Sequence, residues 1–419
     1  MRRIAIAERP DWQETAERFG FRFHTIAGEP YWDESAYYSF TLEQIERDIE
    51  APTEALHAMA MSLVEEVIES DALLARLAIP EAYREFVRAS WRDAHPHVYG
   101  RMDFAYDGEG PAKLYELNYD TPTSLYEAAF FQWVWLEEQI ARGQLARGTD
   151  QFNAIQDGLV EAFGHIAPGL AKPLYFSAVR ESIEDQGTIA YLRDCAEQAG
   201  IDTRLIAIED IGLSEDGRYT DNQDYVIQTL FKLYPIEYLF EERFGPALPT
   251  SGIQLIEPAW KSILANKGIL PLLWERYPDH PNLLAARFVD DPTMPVEAGW
   301  VRKPFFSREG TNISITLPDG TEVATDGPDA DGPWIEQRYH PLKEFDGNFP
   351  LIGSWVVADR AVGMGVREDR SRITQDTSRF IPHVIEVGTR AAAETGLLSS
   401  APDMPGEPDQ TSAPTKTPA

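Results

Sequence analysis

Cysteine is nearly absent from this chain of 419 residues, which contains only Cys195. A single cysteine excludes an internal disulfide and agrees with a reducing compartment such as the cytosol. Because Cys195 lies in a helical pattern, we interpret it as a packing residue rather than as a catalytic nucleophile.

Long hydrophobic runs are absent as well. The apolar run at residues 128–136 is far shorter than the ~20 residues that a membrane helix needs, and Glu137 and Glu138 follow it directly. The first ten residues contain arginines but no long apolar segment, which argues against a signal peptide. We therefore predict a cytoplasmic globular protein that does not enter membranes.

Positive charge is scarce, because 37 lysines and arginines stand against 69 aspartates and glutamates, for a formal net charge of −32. This balance argues against nucleic acid as a partner, since sequence-independent binding depends on basic patches that neutralise phosphates. An acidic protein attracts cationic substrates such as polyamines, although a solvated acidic surface explains the same composition.

The chain is long enough for one large region of several packed subdomains, which we place at residues 1–386. Apolar spacing at residues 41–70 predicts two helices, or one helix broken near Pro52. Residues 124–140 predict an aromatic helix that belongs to the core. The composition of residues 389–419, rich in Ala, Ser, Thr, Pro and Gly, predicts a disordered tail.

A parallel α/β unit is predicted at residues 173–240, where strand patterns alternate with a helical pattern. The loop after its first strand lacks a glycine-rich G-x-G-x-x-G sequence. No dinucleotide site is therefore assigned to this unit.

Two strand patterns between residues 97 and 119 flank the turn sequence Asp-Gly-Glu-Gly-Pro, which predicts a hairpin. Successive side chains of a strand alternate between its faces, so Arg101 and Asp103 share one face, as do Glu116 and Asn118. If the two strands pair around the turn, all four side chains converge.

The converging side chains suit a magnesium site, because Mg²⁺ prefers hard oxygen ligands such as those of Asp103, Glu116 and Asn118. Arg101 would stabilise a phosphoryl group beside them. Charged side chains on an exposed hairpin face are the alternative explanation. The hydroxyls of Thr121 and Thr123 precede the aromatic helix, where they could cap it or bind a ligand carboxylate.

Two segments offer a lysine for nucleotide phosphates. Lys303 lies in an apolar strand pattern followed by a glycine-containing loop at residues 307–312, which could fold over phosphates. Lys267 is the second candidate, and spacing alone does not separate it from Lys261. A further strand at residues 334–342 leads into a linker whose backbone could recognise adenine.

A second hairpin begins near Gly353 and ends at Arg367, and a purely structural hairpin would have the same pattern. The sequence contains no Walker A motif, and its histidines show no metal-ligand spacing such as H-E-x-x-H.

Several separate motifs in this chain resemble the glutathionylspermidine synthase family, and most closely its stand-alone, synthetase-type bacterial members. The resemblance spans roughly residues 1–386 and rests on motifs in the order that the family has. These motifs are Glu8-Arg-Pro-Asp-Trp12, Arg101-Met-Asp103, Glu116-Leu-Asn118-Tyr-Asp-Thr121-Pro-Thr123, Asn266-Lys267-Gly-Ile-Leu-Pro271, Lys303-Pro-Phe-Phe-Ser-Arg308 and Gly365-Val-Arg367-Glu368.

The resemblance implies an ATP-grasp fold and an ATP- and Mg²⁺-dependent reaction. In that reaction a glycine carboxylate of glutathione becomes an acyl phosphate, which an amine of spermidine attacks to form an amide. By the same resemblance Arg101 and Arg367 contact the transferring phosphate, and Arg101 belongs to the nucleotide site as well. The remaining implied positions are Asp103, Glu116 and Asn118 for magnesium, Lys267 and Lys303 for the nucleotide phosphates, and Gln337 for the adenine site.

Substrate positions also follow from the resemblance: Thr121, Thr123 and Arg308 match the glutathione pocket, and the acidic pair Glu184 and Asp185 matches an amine site. A solvated loop would show the same acidic pair. Where the bifunctional members have threonines, this chain has Leu233 and Tyr238, and the loss of those hydroxyls weakens recognition of a polar peptide. The acid and the amine are therefore left open, and we expect no amidase domain.

The leading hypothesis is an α/β (α+β) protein with an ATP-grasp fold, a preceding parallel α/β substrate-binding unit and additional N-terminal helices. It would be an ATP- and Mg²⁺-dependent ligase that joins a small-molecule carboxylate, peptide-like or glutathione-like, to an amine such as a polyamine. The alternatives are an inactive ATP-binding module that senses nucleotide or docks a partner, and phosphoryl transfer to a protein.

Overall fold

The computed structural model describes residues 1–26, 28–327, 332–375 and 377–386. The predicted tail at 389–419 lies outside the described residues. Within the described ranges the strands are β1 (Arg2–Ala5), β2 (Thr25–Ile26), β3 (Glu29–Pro30), β4 (Ala36–Phe40), β5 (Tyr99–Ala105), β6 (Lys113–Asn118), β7 (Leu174–Ala178), β8 (Thr203–Ala207), β9 (Gly212–Leu213), β10 (Tyr219–Thr220), β11 (Thr229–Leu233), β12 (Gln254–Ile256), β13 (Ala286–Val289), β14 (Trp300–Pro304), β15 (Ser314–Thr316), β16 (Glu322–Ala324), β17 (Trp334–Arg338), β18 (Phe349–Val357), β19 (Arg360–Asp369), β20 (Arg379–Ile381) and β21 (His383–Ile385).

Helices pack around these strands, and two of them contain a wider π-helical turn, at Ile45–Glu50 and at Glu127–Phe131. The α-helices of the described residues are α1 (Trp12–Arg18), α2 (Leu42–Gln44), α3 (Ala51–Ile68), α4 (Asp71–Arg76), α5 (Arg84–Arg92), α6 (Gln132–Ala141), α7 (Ile155–Ile166), α8 (Ile183–Gln198), α9 (Ile236–Glu241), α10 (Leu248–Ser251), α11 (Ser262–Ala265) and α12 (Ile269–Arg276). Among them, none is both long enough and apolar enough to cross a membrane.

The helix predicted to break near Pro52 is continuous. It begins with a capping box, in which Thr41 Oγ1 accepts from Gln44 N at 3.2 Å and Gln44 Oε1 accepts from Thr41 N at 3.0 Å. The π-helical turn follows, and Pro52 lies in the first turn of α3. The predicted break is wrong because a proline that directly follows a wide turn need not lose a regular i to i−4 hydrogen bond.

The predicted hairpin forms two strands of a five-stranded antiparallel sheet, in the order β20-β19-β18-β5-β6. Arg101 pairs with Asn118 and Asp103 with Glu116, so the predicted pairing is confirmed. The second predicted hairpin is β18 and β19, and it lies beside β5 and carries Arg367. One sheet therefore supports both sets of candidate residues.

A second antiparallel sheet, in the order β13-β17-β14-β15-β16, carries Lys303 on β14 and Gln337 on β17. The strands and the helix predicted between residues 173 and 240 are present. The strands belong to a third sheet, in which β12, β11, β7 and β8 pair in parallel. Its fourth strand, β12, lies beyond residue 240.

The aromatic helix at residues 124–140 belongs to the core as predicted, since Phe131 and Trp135 have no exposed surface. The Glu8-to-Trp12 motif has a structural role, because fully buried Arg9 donates to Glu34 at 2.8 Å and to Glu138 at 3.0 Å. These bonds attach the N-terminal segment to α6. Cys195 is buried, and burial raises the pKa of its thiol to about 12, as a packing role requires.

Candidate functional site

The hairpin of β5 and β6 places two carboxylates, an amide and a guanidinium in direct contact. Asn118 Nδ2 donates to Asp103 Oδ2 at 3.1 Å and to Glu116 Oε1 at 3.4 Å. Arg101 holds Asp103 in two bonds, from Nε to Oδ1 at 2.6 Å and from Nη2 to Oδ2 at 3.0 Å. The three oxygen-bearing side chains are therefore neighbours, with a cation already beside them.

The two carboxylates differ in their electrostatic environment. Burial raises the pKa of Asp103, although the charge of Arg101 opposes the rise. Burial also disfavours the charged form of Glu116, but Lys267 and Lys303 outweigh it and hold the pKa of Glu116 at about 2. Glu116 is therefore anionic at neutral pH.

Lys303 lies on the second sheet and lines the same cleft as Asp103 and Glu116. Its Nζ donates to Gln337 Oε1 at 2.9 Å and to the backbone oxygen of Tyr115 at 3.2 Å. Burial lowers the pKa of Lys303 to about 8, and the charge of Glu116 limits the decrease. The strand therefore presents a desolvated ammonium group toward the hairpin acids.

The structure distinguishes the two alternative phosphate lysines, Lys267 and Lys261, by their partners. Lys267 Nζ lies 3.1 Å from Glu116 Oε2 and donates to the backbone oxygen of Ser307 at 2.5 Å. Lys261 is fully buried elsewhere, where it pairs with Glu257 and donates to the backbone oxygen of Tyr99 at 2.6 Å. Lys267, and not Lys261, therefore faces the hairpin acids.

Gln337 connects the two antiparallel sheets. Its Oε1 accepts from Lys303, and its Nε2 donates to the backbone oxygen of Leu114 at 3.1 Å. Both the oxygen and the nitrogen of the side-chain amide are thus hydrogen-bonded to other groups of the protein. In this arrangement Gln337 fixes the position of Lys303, while Tyr339 and His340 of the following linker face the cleft.

A cleft lies between the two sheets and is lined by residues of both. Its polar lining includes Asp103, Glu116, Lys267, Lys303 and Gln337. Its apolar lining, which suits a planar ring, is formed by Val301, Ile313, Ile315, Leu342, Leu351 and Ile373.

A second cleft adjoins the first and shares Asp103, Glu116 and Lys267 with it. The tertiary structure brings most of the predicted residues together here. Its lining includes Arg101, Asn118, Thr121, Thr123, Arg308 and Arg367.

Arg308 has partners that the sequence did not indicate. It forms an ion pair with Glu237, and its guanidinium lies over the Tyr238 ring at 5.3 Å from the ring centre. Tyr238 is one of the two positions, with Leu233, at which the sequence predicts weaker recognition of a polar peptide. The contacts reduce the capacity of Arg308 to bind a substrate carboxylate, because Glu237 already neutralises it.

Glu184 and Asp185 lie in the first turn of α8 and line neither of the two clefts described above. Ser182 caps the helix by accepting from Asp185 N at 3.2 Å. Burial and the nearby charge of Glu127 raise the pKa of Glu184 to about 8, and Arg367 opposes this. Glu184 therefore lies within electrostatic range of Arg367.

Sequence reasoning missed Glu127, a fully buried carboxylate near these groups. The available signal was a glutamate inside an otherwise apolar helix, at Tyr126-Glu127-Ala128. It missed the buried ion pair of Lys232 with Asp120 as well, which holds the loop before α9 against the second cleft.

The donor set fits a hard cation. In the part of the chain that the structure describes, no group of three His, Cys, Asp or Glu side chains forms a metal cluster. The hairpin instead offers two carboxylates and the amide of Asn118, which hydrogen-bonds to both. Two carboxylates and one amide, with phosphate oxygens to complete the coordination, are a set that Mg²⁺ uses.

The comparisons with known proteins identify the family of this chain. Residues 3–386 match a family model described as "Glutathionylspermidine synthase preATP-grasp". A Haemophilus influenzae protein provisionally named an acid–amine ligase is 39% identical over 396 residues, covering 91% of this chain and 99% of that protein. Trypanothione synthetase of Crithidia fasciculata is 30% identical over 351 residues.

The chain spans about half the length of some relatives, covering 53% of the trypanothione synthetase and 59% of the bifunctional glutathionylspermidine synthetase/amidase of Escherichia coli. The solved apo structure of a glutathione synthetase-like effector from Globodera pallida has a TM-score of 0.52 at 10% identity, covering 91% of this chain and 98% of that chain. This likeness shows a shared fold of the ATP-grasp type. The chain therefore belongs to the glutathionylspermidine synthase family and is a ligase that forms carbon–nitrogen bonds.

Proposed function

We propose that this protein is an ATP- and Mg²⁺-dependent ligase that joins the carboxylate of a small acid to an amine through an acyl phosphate. The observation that carries the proposal is the continuity of the two clefts. Asp103, Glu116 and Lys267 line both of them, so a nucleotide in the first cleft and an acid in the second would meet at these three side chains.

The residues of the chain divide into positioning and charge-stabilising groups. Lys267 and Lys303 would bind nucleotide phosphates, and Arg101 and Arg367 would stabilise the negative charge on the phosphoryl group during transfer. Asp103, Glu116 and Asn118 would hold Mg²⁺, which when bound neutralises phosphate charge. Gln337 would keep Lys303 directed at the phosphates.

The acid substrate would lie in the second cleft, near Thr121, Thr123 and Arg308. Because Arg308 is paired with Glu237 and covered by Tyr238, recognition of the acid differs from that expected for threonines at positions 233 and 238. We therefore propose a peptide-like acid, glutathione among the candidates, and a cationic amine, with spermidine among the candidates. A cytoplasmic location belongs to the same proposal.

An isotope experiment tests the chemistry. Purified protein is incubated with ATP, MgCl₂, spermidine and a panel of peptides, including glutathione labelled with ¹⁸O in its carboxylates. Formation of an acyl phosphate predicts that ADP release requires an acid and that ¹⁸O appears in the inorganic phosphate. ADP release without ¹⁸O transfer would indicate direct hydrolysis, and ATP binding without turnover for any acid would indicate an inactive nucleotide-binding module.

A further inference from the structure

A third cleft adjoins the loop that carries Arg308. Residues 306–309 line both this cleft and the second cleft, so the two cavities share that segment as a common wall. The lining of the third cleft also includes Glu237, Tyr238 and Glu241 of α9. The proposed reaction does not use the third cleft, although this cleft adjoins the one proposed for the acid.

The ion pair between Arg308 and Glu237 lies where the two clefts adjoin. Arg308 lines both clefts, and Glu237 lines the third. Arg308 Nη2 donates to Glu237 Oε1, whereas Arg308 Nη1 and Glu237 Oε2 are buried without a hydrogen-bond partner among the described residues. The pair is thus left with one donor and one acceptor. A ligand that supplied a partner to each would remove the cost of burying them unpaired.

The beginning of α9 is fixed beside the second cleft. Asp120, which lines that cleft, accepts from Ile236 N at 2.8 Å and forms a buried ion pair with Lys232. Asp120 thereby fixes the backbone directly before Glu237. The carboxylate of Glu237 is therefore positioned beside Arg308 by bonds that involve neither of these two side chains.

The charges that line the third cleft are mainly negative. Among the described residues, its charged lining consists of three glutamates and one arginine, namely Glu237, Glu241, Glu309 and Arg308. The charge of Arg308 is already balanced by its ion pair. An anionic group in this cleft would therefore meet like charges without a compensating cation, which costs binding energy.

The second cleft likewise offers little unbalanced positive charge. Three of the four cations in its lining are each paired with a carboxylate, as Arg101 is with Asp103, Lys267 with Glu116 and Arg308 with Glu237. The two clefts together thus favour an acid with little negative charge beyond the carboxylate that reacts.

We propose that the far end of the acid substrate, opposite the carboxylate that reacts, extends past the Arg308–Glu237 pair into the third cleft, and that Glu237 excludes acids whose far end is anionic. The inference rests on the proposed function and specifies its acid as a peptide-like molecule with a neutral or cationic far end. A peptide backbone supplies a carbonyl oxygen for Arg308 Nη1 and an N–H group for Glu237 Oε2. Glu237 is then a specificity-determining residue that acts by repulsion as well as by hydrogen bonding.

Peptides that differ only at the far end test the site without requiring turnover. Triglycine, N-acetyltriglycine and N-succinyltriglycine share the same C-terminal carboxylate, and their far ends are cationic, neutral and anionic. Thermal shift titrations of the whole protein with each peptide give apparent Kd values. The wild type should bind the succinyl peptide at least about tenfold more weakly than the acetyl peptide. Equal affinities, or no shift with any of the three peptides, would overturn the proposal.

Glu237→Gln tests the residue itself. The variant keeps the oxygen that accepts from Arg308 Nη2 and loses the charge, so its affinities for the succinyl and acetyl peptides should agree within about threefold. Glu215→Gln is the matched control, because Glu215 is exposed between β9 and β10 and lines none of the three clefts. It should keep the preference of the wild type. An undiminished preference in Glu237→Gln would overturn the assignment of Glu237, and the wild-type comparison holds without either variant.

Turnover separates this inference from the ligase assignment. ADP release that requires an acid but proceeds equally with the acetyl and succinyl peptides would support the ligase and overturn the charge selection. Charge-selective binding without ADP release for any acid would contradict the ligase chemistry and support the third cleft as a peptide-binding site.

Discussion

Lys267 lies 3.1 Å from Glu116, and this ion pair connects the loop before α12 to the hairpin of β5 and β6. The two residues come from distant segments of the chain, and both line the two adjoining clefts. Their contact therefore marks the place where the proposed nucleotide site and the proposed acid site meet.

Replacing Lys267 by methionine keeps the length of the side chain and removes its charge. We expect kcat/KM for ATP to fall about 100-fold, which is about 2.7 kcal/mol of transition-state stabilisation, while the protein still folds. The measurement is ADP release at varied ATP, and Lys343→Met, at an exposed position, is the control. Equal kinetics for the two variants would remove Lys267 from the phosphate site.

Asp103→Asn and Glu116→Gln should each abolish turnover, with a loss of at least about 1000-fold, because each removes a charged oxygen ligand from the proposed magnesium site. The far-UV circular dichroism spectrum should remain that of the wild type. A titration with MgCl₂ and MnCl₂ provides the decisive comparison, since both variants should need more cation than the wild type for any residual rate. Unchanged cation dependence would contradict the metal assignment.

The pKa of Lys303, about 8, predicts a pH dependence. The ammonium form binds phosphate, so its contribution is present below pH 8 and is lost as pH rises above that value. In the absence of bound nucleotide, kcat/KM for ATP should fall about tenfold per pH unit well above pH 8.

Lys303→Arg should move this descending limb to higher pH, because a guanidinium keeps its charge. Superimposable pH profiles for the wild type and the arginine variant would show that another group is responsible.

Gly353 is required for the position of Arg101. A Cβ at Gly353 would lie 2.7 Å from Arg101 Cδ, so Gly353→Ala should displace the guanidinium and lower turnover at least about tenfold. Gly164→Ala is the matched control, since a Cβ there meets no atom within 4 Å. That variant should be active and about 0.5–1 kcal/mol more stable, as expected for alanine in a helix. Full activity of Gly353→Ala would contradict the steric argument.

Local patterns predicted several elements correctly. The hairpin of β5 and β6 follows from two strand patterns around a glycine-rich turn, and the core position of α6 follows from its aromatic residues. Pro52 shows the limit of such reasoning: its effect depends on the hydrogen bonds of the preceding turn, which residue type alone does not specify.

The candidate site was predictable in composition but not in arrangement. Nothing local distinguishes Lys261 from Lys267, because both lie in similar short segments, and the difference arises from the partners that each side chain meets. Likewise Gln337 was expected near adenine, but its amide is bound to Lys303 and Leu114. The partners of Arg308, Glu237 and Tyr238, also come from a different segment of the chain.

By itself the sequence determined the charged and oxygen-bearing residues, the hairpin that carries Asp103 and Glu116, and the family resemblance, since these depend on residue type and short-range spacing. Only the tertiary structure decided which lysine faces the acids and that Glu127 lies buried near Arg367 and Glu184. The physical reason is that burial and contacts between distant segments set the energy of a charge, and neither is encoded by any single stretch of chain.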